Sequence, residues 1–160
     1  MNKNELLIFK NNFIKECRKA KNIDHLYDKY MLQIDTNTSE GKKLESLINQ
    51  IIDKEICKRA NEVVEKFLHK LKLSAEKRKH DLYWWGYNGD WYEVMSINPK
   101  KGIITINDGD LFQEINCKYT INNMDDYNVD ISEEKAVLED ILRFEFRYRD
   151  KIFFNEKCLF

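Results

Sequence analysis

The groups in this chain that could hold a metal or activate a nucleophile are three histidines, four cysteines and a scatter of carboxylates, and their spacing works against each use. His25, His69 and His80 lie outside the aromatic-rich stretch after residue 81, and His69 and His80 have no cysteine or acidic residue at a ligand spacing, so no zinc site is drawn from them. Cys17, Cys57, Cys117 and Cys158 are at least 40 residues apart with no CxxC pair. That predicts reduced thiols rather than a disulfide framework or a metal cluster. Asn107-Asp108-Gly109-Asp110 lacks the alternate-position ligands and the closing glutamate of a calcium loop. Arg78, His80 and Asp81 could be assembled into a phosphodiesterase-like site, but any basic loop would offer as much. With no glycine-rich phosphate loop, nucleophile elbow or HExxH helix, neither catalysis nor a metal or organic cofactor is expected; a small metal-independent enzyme is the least favoured class.

Two clusters remain that could act by binding. The first is aromatic: Tyr83, Trp84, Trp85, Tyr87, Trp91 and Tyr92 fall within ten residues. Successive strand side chains face opposite sides, so Trp84 and Trp85 cannot enter the same core face, and one of them needs a cover of its own. That cover is either another segment of the chain or a partner, for which tryptophan and tyrosine are the preferred anchors. Acidic residues surround the cluster: Asp81, Asp90, Glu93, Asp108, Asp110, Glu114, Asp125, Asp126 and Asp130. The candidate partner-binding set is therefore Trp84, Trp85, Tyr87, Asp90, Trp91, Asp108 and Asp110, facing a basic surface such as the nucleic-acid channel of a nuclease. The second cluster is basic: His69, Lys70, Lys72, Lys77, Arg78, Lys79 and His80. Clustered cations suit phosphates, which makes Lys70, Lys72, Lys77, Arg78 and Lys79 the alternative, nucleic-acid-binding set, with the aromatics as stacking platforms. The same run is also what a helix C-terminus prefers on electrostatic grounds.

The elements that must position these clusters follow from periodicity. Leu6, Phe9, Phe13, Cys17 and Ala20 recur at helical spacing, and Leu26, Tyr30 and Ile34 continue it past a break at Lys21-Asn22. Two helices, or one kinked helix, are expected there, with Asp24 as a cap for the second part. Asp35 to Ser39 supplies turn and cap residues. From Leu44 to Leu71 the apolar positions hold helical phase for about eight turns, predicting a long amphipathic helix over 42–72 with a solvated polar face or, since the stripe approaches heptad spacing in places, a coiled-coil or dimer seam. After residue 82 the period changes to two. Leu82–Trp85, Trp91–Ile97 and Ile103–Ile106 read as strands separated by Asn88-Gly89, Asn98–Gly102 and Asn107–Asp110, an antiparallel meander of three or four strands between Leu82 and Ile121. Ser132, Glu133 and Glu134 open a short helix that passes into a strand near Arg143, and Ile152-Phe153-Phe154 and Leu159-Phe160 are apolar enough to dock.

The pattern of Trp91, Val94 and Ile97, a turn, Gly102, then Ile104 and Ile106 resembles the strand-turn-strand core of small SH3-like barrels such as Tudor domains. The resemblance covers about 30 of 160 residues and implies a fold and not a function.

The bulk numbers set the frame. A chain of 160 residues, 42% hydrophobic and 34% charged, suits one α+β domain, with a basic helical part over 1–80 and an acidic, aromatic β part over 81–160. Residues 1 to 80 carry 18 Lys and Arg against 12 Asp and Glu; residues 81 to 160 carry 9 against 16. The chain is thus a charge dipole that can steer a partner or bring two copies together. Neither a secretory leader nor a membrane span can be drawn, so a cytoplasmic monomer or homodimer is expected. The reading that follows is a non-enzymatic protein-binding module or inhibitor. Richness in lysine, asparagine and isoleucine is typical of AT-rich bacterial and phage genomes, whose small proteins include anti-CRISPR inhibitors of host defence nucleases.

Overall fold

The computed structural model describes residues 1–78, 81–86, 89–120, 146–148 and 151–153. These form an α+β structure in two compact units, residues 1–58 and 59–160, whose boundary falls within the third helix.

In the first unit, α1 spans Lys3–Lys19 and α2 spans Ile23–Met31. Asn2 opens α1 with a capping box: its side chain accepts from the Glu5 amide at 2.9 Å, and the Glu5 carboxylate accepts from the Asn2 amide at 2.8 Å. The break at Lys21-Asn22 separates two helices, and the cap of α2 is Asn22, not Asp24. Asn22 Oδ1 accepts from the His25 amide at 3.0 Å, while Asp24 lies in the first turn, where its charge meets the positive end of the helix. Phe13, Cys17, Ile23 and Leu26 are buried, and Tyr30 packs edge-on against Phe13 at 4.7 Å between ring centroids. Its hydroxyl donates to Glu16 at 2.8 Å. Burial, and then that bond, pushes the Tyr30 hydroxyl up to about 12, while the same bond lowers Glu16.

Helix α3 runs unbroken over Ser39–Lys77, longer than the 42–72 expected. Thr38 caps it, its hydroxyl accepting from the Gly41 amide at 2.9 Å. Gly41 is buried, and a Cβ there would run into the carbonyl of Asp35.

The second unit places the C-terminal turns of α3 on a six-stranded antiparallel sheet. Its strands are β1 (Leu82–Trp85), β2 (Trp91–Asn98), β3 (Ile103–Asp108), β4 (Leu111–Asn116), β5 (Phe146–Tyr148) and β6 (Lys151–Phe153), in the order β4-β3-β2-β1-β5-β6. Val64, Phe67, Leu68 and Leu71 meet Leu82, Trp84, Ile97, Ile104, Ile106 and Phe146 in one buried cluster. Each such side chain contributes about 2 kcal/mol when taken from water. The expected meander of three or four strands is present as β1 to β4, and the expected C-terminal strand as β5, whereas β6 is a strand where only a docked apolar segment was expected; the expected helix from Ser132 lies outside the described residues, as do Phe154, Cys158, Leu159 and Phe160.

Register explains how the strands keep one face apolar. Pairing moves from Val94 opposite Ile106 to Ser96 opposite Thr105, so Met95 is a bulge. Without it Ile97 would face outward; with it Tyr92, Val94 and Ile97 share the helix-facing side. Trp91, one residue from Tyr92, faces the other way. It therefore does not join Val94 and Ile97 in a common core as the SH3-like pattern implied, and the hydrogen-bonded order of the described strands is linear rather than closed. Beyond β4, Asn61 on α3 ties the chain down: its Oδ1 accepts from the Tyr119 amide at 2.8 Å and its Nδ2 donates to the Tyr119 carbonyl at 3.1 Å. Among the described residues no helix is long and apolar enough to cross a membrane.

Helix propensity alone says that Gly41→Ala should stabilise the chain by about 1 kcal/mol. The crowding at Asp35 reverses the sign: a loss of about 2 kcal/mol is expected, read as a lower urea midpoint at constant slope. Cysteine chemistry gives a second test. Burial pushes the Cys117 thiol up to about 12, and Cys17 is equally inaccessible, whereas Cys57 is partly exposed. Of these three, iodoacetamide followed by peptide mass mapping should label Cys57 in the folded protein and the other two only after unfolding.

Candidate interaction surface

Meander topology decides where the acidic residues go. Strands β1 and β3 run in one direction and β2 and β4 in the other, so the β1–β2 and β3–β4 loops emerge at the same end of the sheet, and the β2–β3 turn emerges at the opposite end. Asp90 stands in the first loop, and Asp108 and Asp110 flank Gly109 in the second. All three carboxylates are exposed. Their loops are separated by about two strand spacings, roughly 10 Å.

The loop backbones follow from glycine. Gly109 takes φ +74°, and Asp108 pairs with Leu111, a two-residue reversal. The first loop differs from the expected Asn88-Gly89 reversal. Bonds from the Gly86 amide to the Asp90 carbonyl at 2.8 Å and from the Gly89 amide to the Gly86 carbonyl at 3.1 Å close a loop of three residues, with Gly89 at φ +82°. The glycine serves the left-handed position after the turn and not within it.

Trp85 and Trp91 face each other across the base of this loop. Because Gly86 and Asp90 form the hydrogen-bonded pair, Trp85 and Trp91 occupy the adjacent non-hydrogen-bonded pair, in which side chains approach most closely. Their rings meet edge to face at 5.0 Å between centroids and 61° between planes. A Cβ on Gly89 would stand 3.7 Å from Trp85 Cζ2, so the ring lies against the loop backbone. Both indoles are partly exposed on the face away from α3. Tyr83 and Glu93 form the next pair on that face, followed along the row by Asn107 and Phe112, whose side chain is 69% exposed.

The candidate set thus divides. Trp84 is 2% exposed and belongs to the helix-facing core, which removes it as a surface anchor; strand parity separated it from Trp85, and α3 covers its side. Trp85, Trp91, Asp90, Asp108 and Asp110 are brought to one end of the sheet. Tyr87 lies outside the described residues, as do Asp125, Asp126 and Asp130. Of the basic set, Lys70 is partly buried on α3 and Lys72, Lys77 and Arg78 are exposed near its end, while Lys79 and His80 lie outside the described residues.

Sequence reasoning missed two groups. Phe112 stands in the same surface row as Glu93, a placement that counting alternate residues back from Asp108-Leu111 would have found. The other group is basic: Lys100 and Lys101 in the β2–β3 turn, with Lys118 beside them, its amine donating to the Lys100 carbonyl at 2.6 Å. The sheet is therefore acidic at one end and basic at the other. A cleft of about 410 Å³ between the end of α3 and β2 is lined by Lys72 and Arg78 but also by Glu76 and Asp81, a balance that favours neither sign of ligand. Among the described residues no group of three or more His, Cys, Asp or Glu could hold a metal ion.

Comparison with protein-family models, with curated proteins and with solved structures finds no match.

The two classes of tryptophan should separate in stability. Trp84→Ala is expected to cost about 3–5 kcal/mol as a large-to-small core change. Trp91→Ala removes one cross-strand aromatic contact and should cost about 1 kcal/mol. Urea denaturation followed by far-ultraviolet circular dichroism would distinguish them, and equal losses would place Trp91 in the core.

Proposed function

We propose that this protein is a non-enzymatic binding module or inhibitor, and that its site is the acidic end of the sheet: the Trp85–Trp91 pair with Asp90, Asp108 and Asp110. The observation that carries this reading is the convergence of the two acidic loops beside a partly exposed tryptophan pair. Residues 86–90 and 107–111 contain three carboxylates and no cation. An apolar anchor rimmed by like charges suits a protein partner with a basic surface: the indoles supply the desolvated contact, and the carboxylates select and steer. A nucleic-acid-binding channel of a nuclease is such a surface, and blocking a host defence nuclease, as anti-CRISPR proteins do, is the narrower form of the proposal.

On this reading the carboxylates act on rate more than on affinity. The two loops stand roughly 10 Å apart, close to the screening length at physiological salt, about 8 Å, so the field of Asp90 adds to that of Asp108 and Asp110 chiefly when salt is low. Steering should weaken as salt rises, while the anchor contribution should not.

A second reading uses the other end of the sheet. Lys77 and Arg78 close α3 near the start of β1, and Lys100 and Lys101 turn at the same end, so cations from two elements could meet phosphates. Glu76 and Asp81 lie among them and reduce that field.

One experiment separates the readings. Wild-type protein and three variants are immobilised and used to capture partners from a bacterial lysate, and the captured protein is then measured by surface plasmon resonance. Trp91→Ala is expected to raise the dissociation constant about 30-fold, equivalent to about 2 kcal/mol. The triple change of Asp90, Asp108 and Asp110 to Asn should slow association and flatten its salt dependence, and charge reversal of Lys77, Arg78 and Lys100 should alter neither. Loss of capture only on that charge reversal, together with a nucleic-acid mobility shift at low salt, would reject the acidic site in favour of the basic one.

A further inference from the structure

Strand β4 is an edge of the sheet, and among the described residues nothing pairs with its outer side. All six of its residues pair with β3 in continuous register, from Leu111 opposite Asp108 to Asn116 opposite Ile103, with no bulge. The strand has no proline and no lysine. Its first two residues, Leu111 and Phe112, are 74% and 69% exposed on opposite faces. Solitary edges are ordinarily blunted by proline, charged residues, a bulge or shortness; of these β4 carries only the single charge of Glu114, whereas the opposite edge, β6, is only three residues long.

Hydrogen-bond parity shows what this edge offers. The reversal at Gly109-Asp110 makes Asp108 and Leu111 the bonded pair, and the Cys117 amide donates to the Gly102 carbonyl at 2.8 Å, so odd-numbered residues of β4 bond toward β3. The amides and carbonyls of Phe112, Glu114 and Asn116 therefore point outward.

We infer that β4 pairs with β4 of a second copy of this chain, antiparallel about a two-fold axis through Gln113. A two-fold normal to the sheet joins residues on the same face, which leaves two central registers. An axis through Glu114 sets Glu114 directly opposite its own copy, a like-charge pair that destabilises the ladder. An axis through Gln113 sets Phe112 opposite Glu114, Gln113 opposite itself and Leu111 opposite Ile115, so the most exposed leucine of the sheet gains an aliphatic cross-strand neighbour. The same axis carries the acidic turn at Asp108 and Asp110 alongside the Lys118 end of the other copy, and the reverse. Two sheets that are each acidic at one end and basic at the other lie head to tail, which is the arrangement their charges favour. The contact is smaller than an obligate interface, so the dimer is concentration-dependent.

This inference rests on the strand edge and the sheet's charge distribution, and is independent of the tryptophan site. Sedimentation equilibrium of the full chain over a concentration series should show the mass rising from 19.3 kDa toward twice that value, with a weaker rise at high salt. Glu114→Pro removes an outward amide and leaves the β3-facing bonds intact, so it should hold the chain at the monomer mass with an unchanged circular dichroism spectrum. Phe112→Glu sets a like charge opposite Glu114 of the other copy without backbone strain and should do the same. Gln113→Cys should give a disulfide-linked dimer on oxidation, because residues on the axis form a non-hydrogen-bonded pair about 4.5 Å apart at Cα, within disulfide reach. Trp91→Ala should leave the mass unchanged. A chain that stays at 19.3 kDa throughout, or a dimer that survives both Glu114→Pro and Phe112→Glu, would overturn the inference.

Discussion

Trp84 stands 2% exposed against the last turns of α3, and that single burial sets the parity of the whole sheet. Side chains alternate along a strand, so placing Trp84 under the helix sends Tyr83 and Trp85 to the other face. Cross-strand pairing then carries the choice outward: Trp91 joins Trp85, Tyr92 joins Trp84, and beyond the Met95 bulge Ile97, Ile104 and Ile106 return to the helix side. A slip of one residue would exchange every face. The large apolar volume of Trp84 makes such a slip costly, and the surface described above exists because that slip is excluded.

Charge is arranged by a different constraint, the shortness of the connections. Hairpins with loops of a few residues force neighbouring strands antiparallel, so alternate loops share an end. Carboxylates that are 18 to 20 residues apart in the chain thereby stand at one end of the sheet, and Lys100, Lys101 and Lys118 at the other. The dipole between the two halves of the sequence has a smaller counterpart within the sheet itself.

The parts of this architecture that were legible from sequence are those fixed by local physics. The stripe from Leu44 to Leu71 holds one phase, and α3 follows it with an added turn at each end. Gly102 and Gly109 sit where a reversal needs positive φ, and both reversals are where they were expected. That Trp84 and Trp85 would part was legible; which of them would face inward was not, because it depends on the side α3 covers. The cap of α2 passed from Asp24 to Asn22 because both residue types cap well and only the geometry at His25 separates them. The loop at Gly89 gained a residue because Asn-Gly can serve either a two-residue reversal or the left-handed end of a three-residue one. Asn61 gave no signal at all, since a polar residue at mid-helix reads as solvated surface.

Asn61 has a further consequence, for the order in which the chain folds. Its two bonds to Tyr119 join residues 58 apart in sequence, whereas each reversal of the β1–β4 meander closes over a handful of residues. Loop-closure entropy grows with the logarithm of the span, and the difference between those two scales is about 2 kcal/mol. The helix and the hairpins can therefore form before the Asn61 amide finds its strand-like partner, and the contact belongs to the late side of the folding barrier. Interactions made after the barrier slow unfolding more than they speed folding. The side chain that ties the end of the meander to α3 thus acts chiefly on how long the folded chain persists once formed.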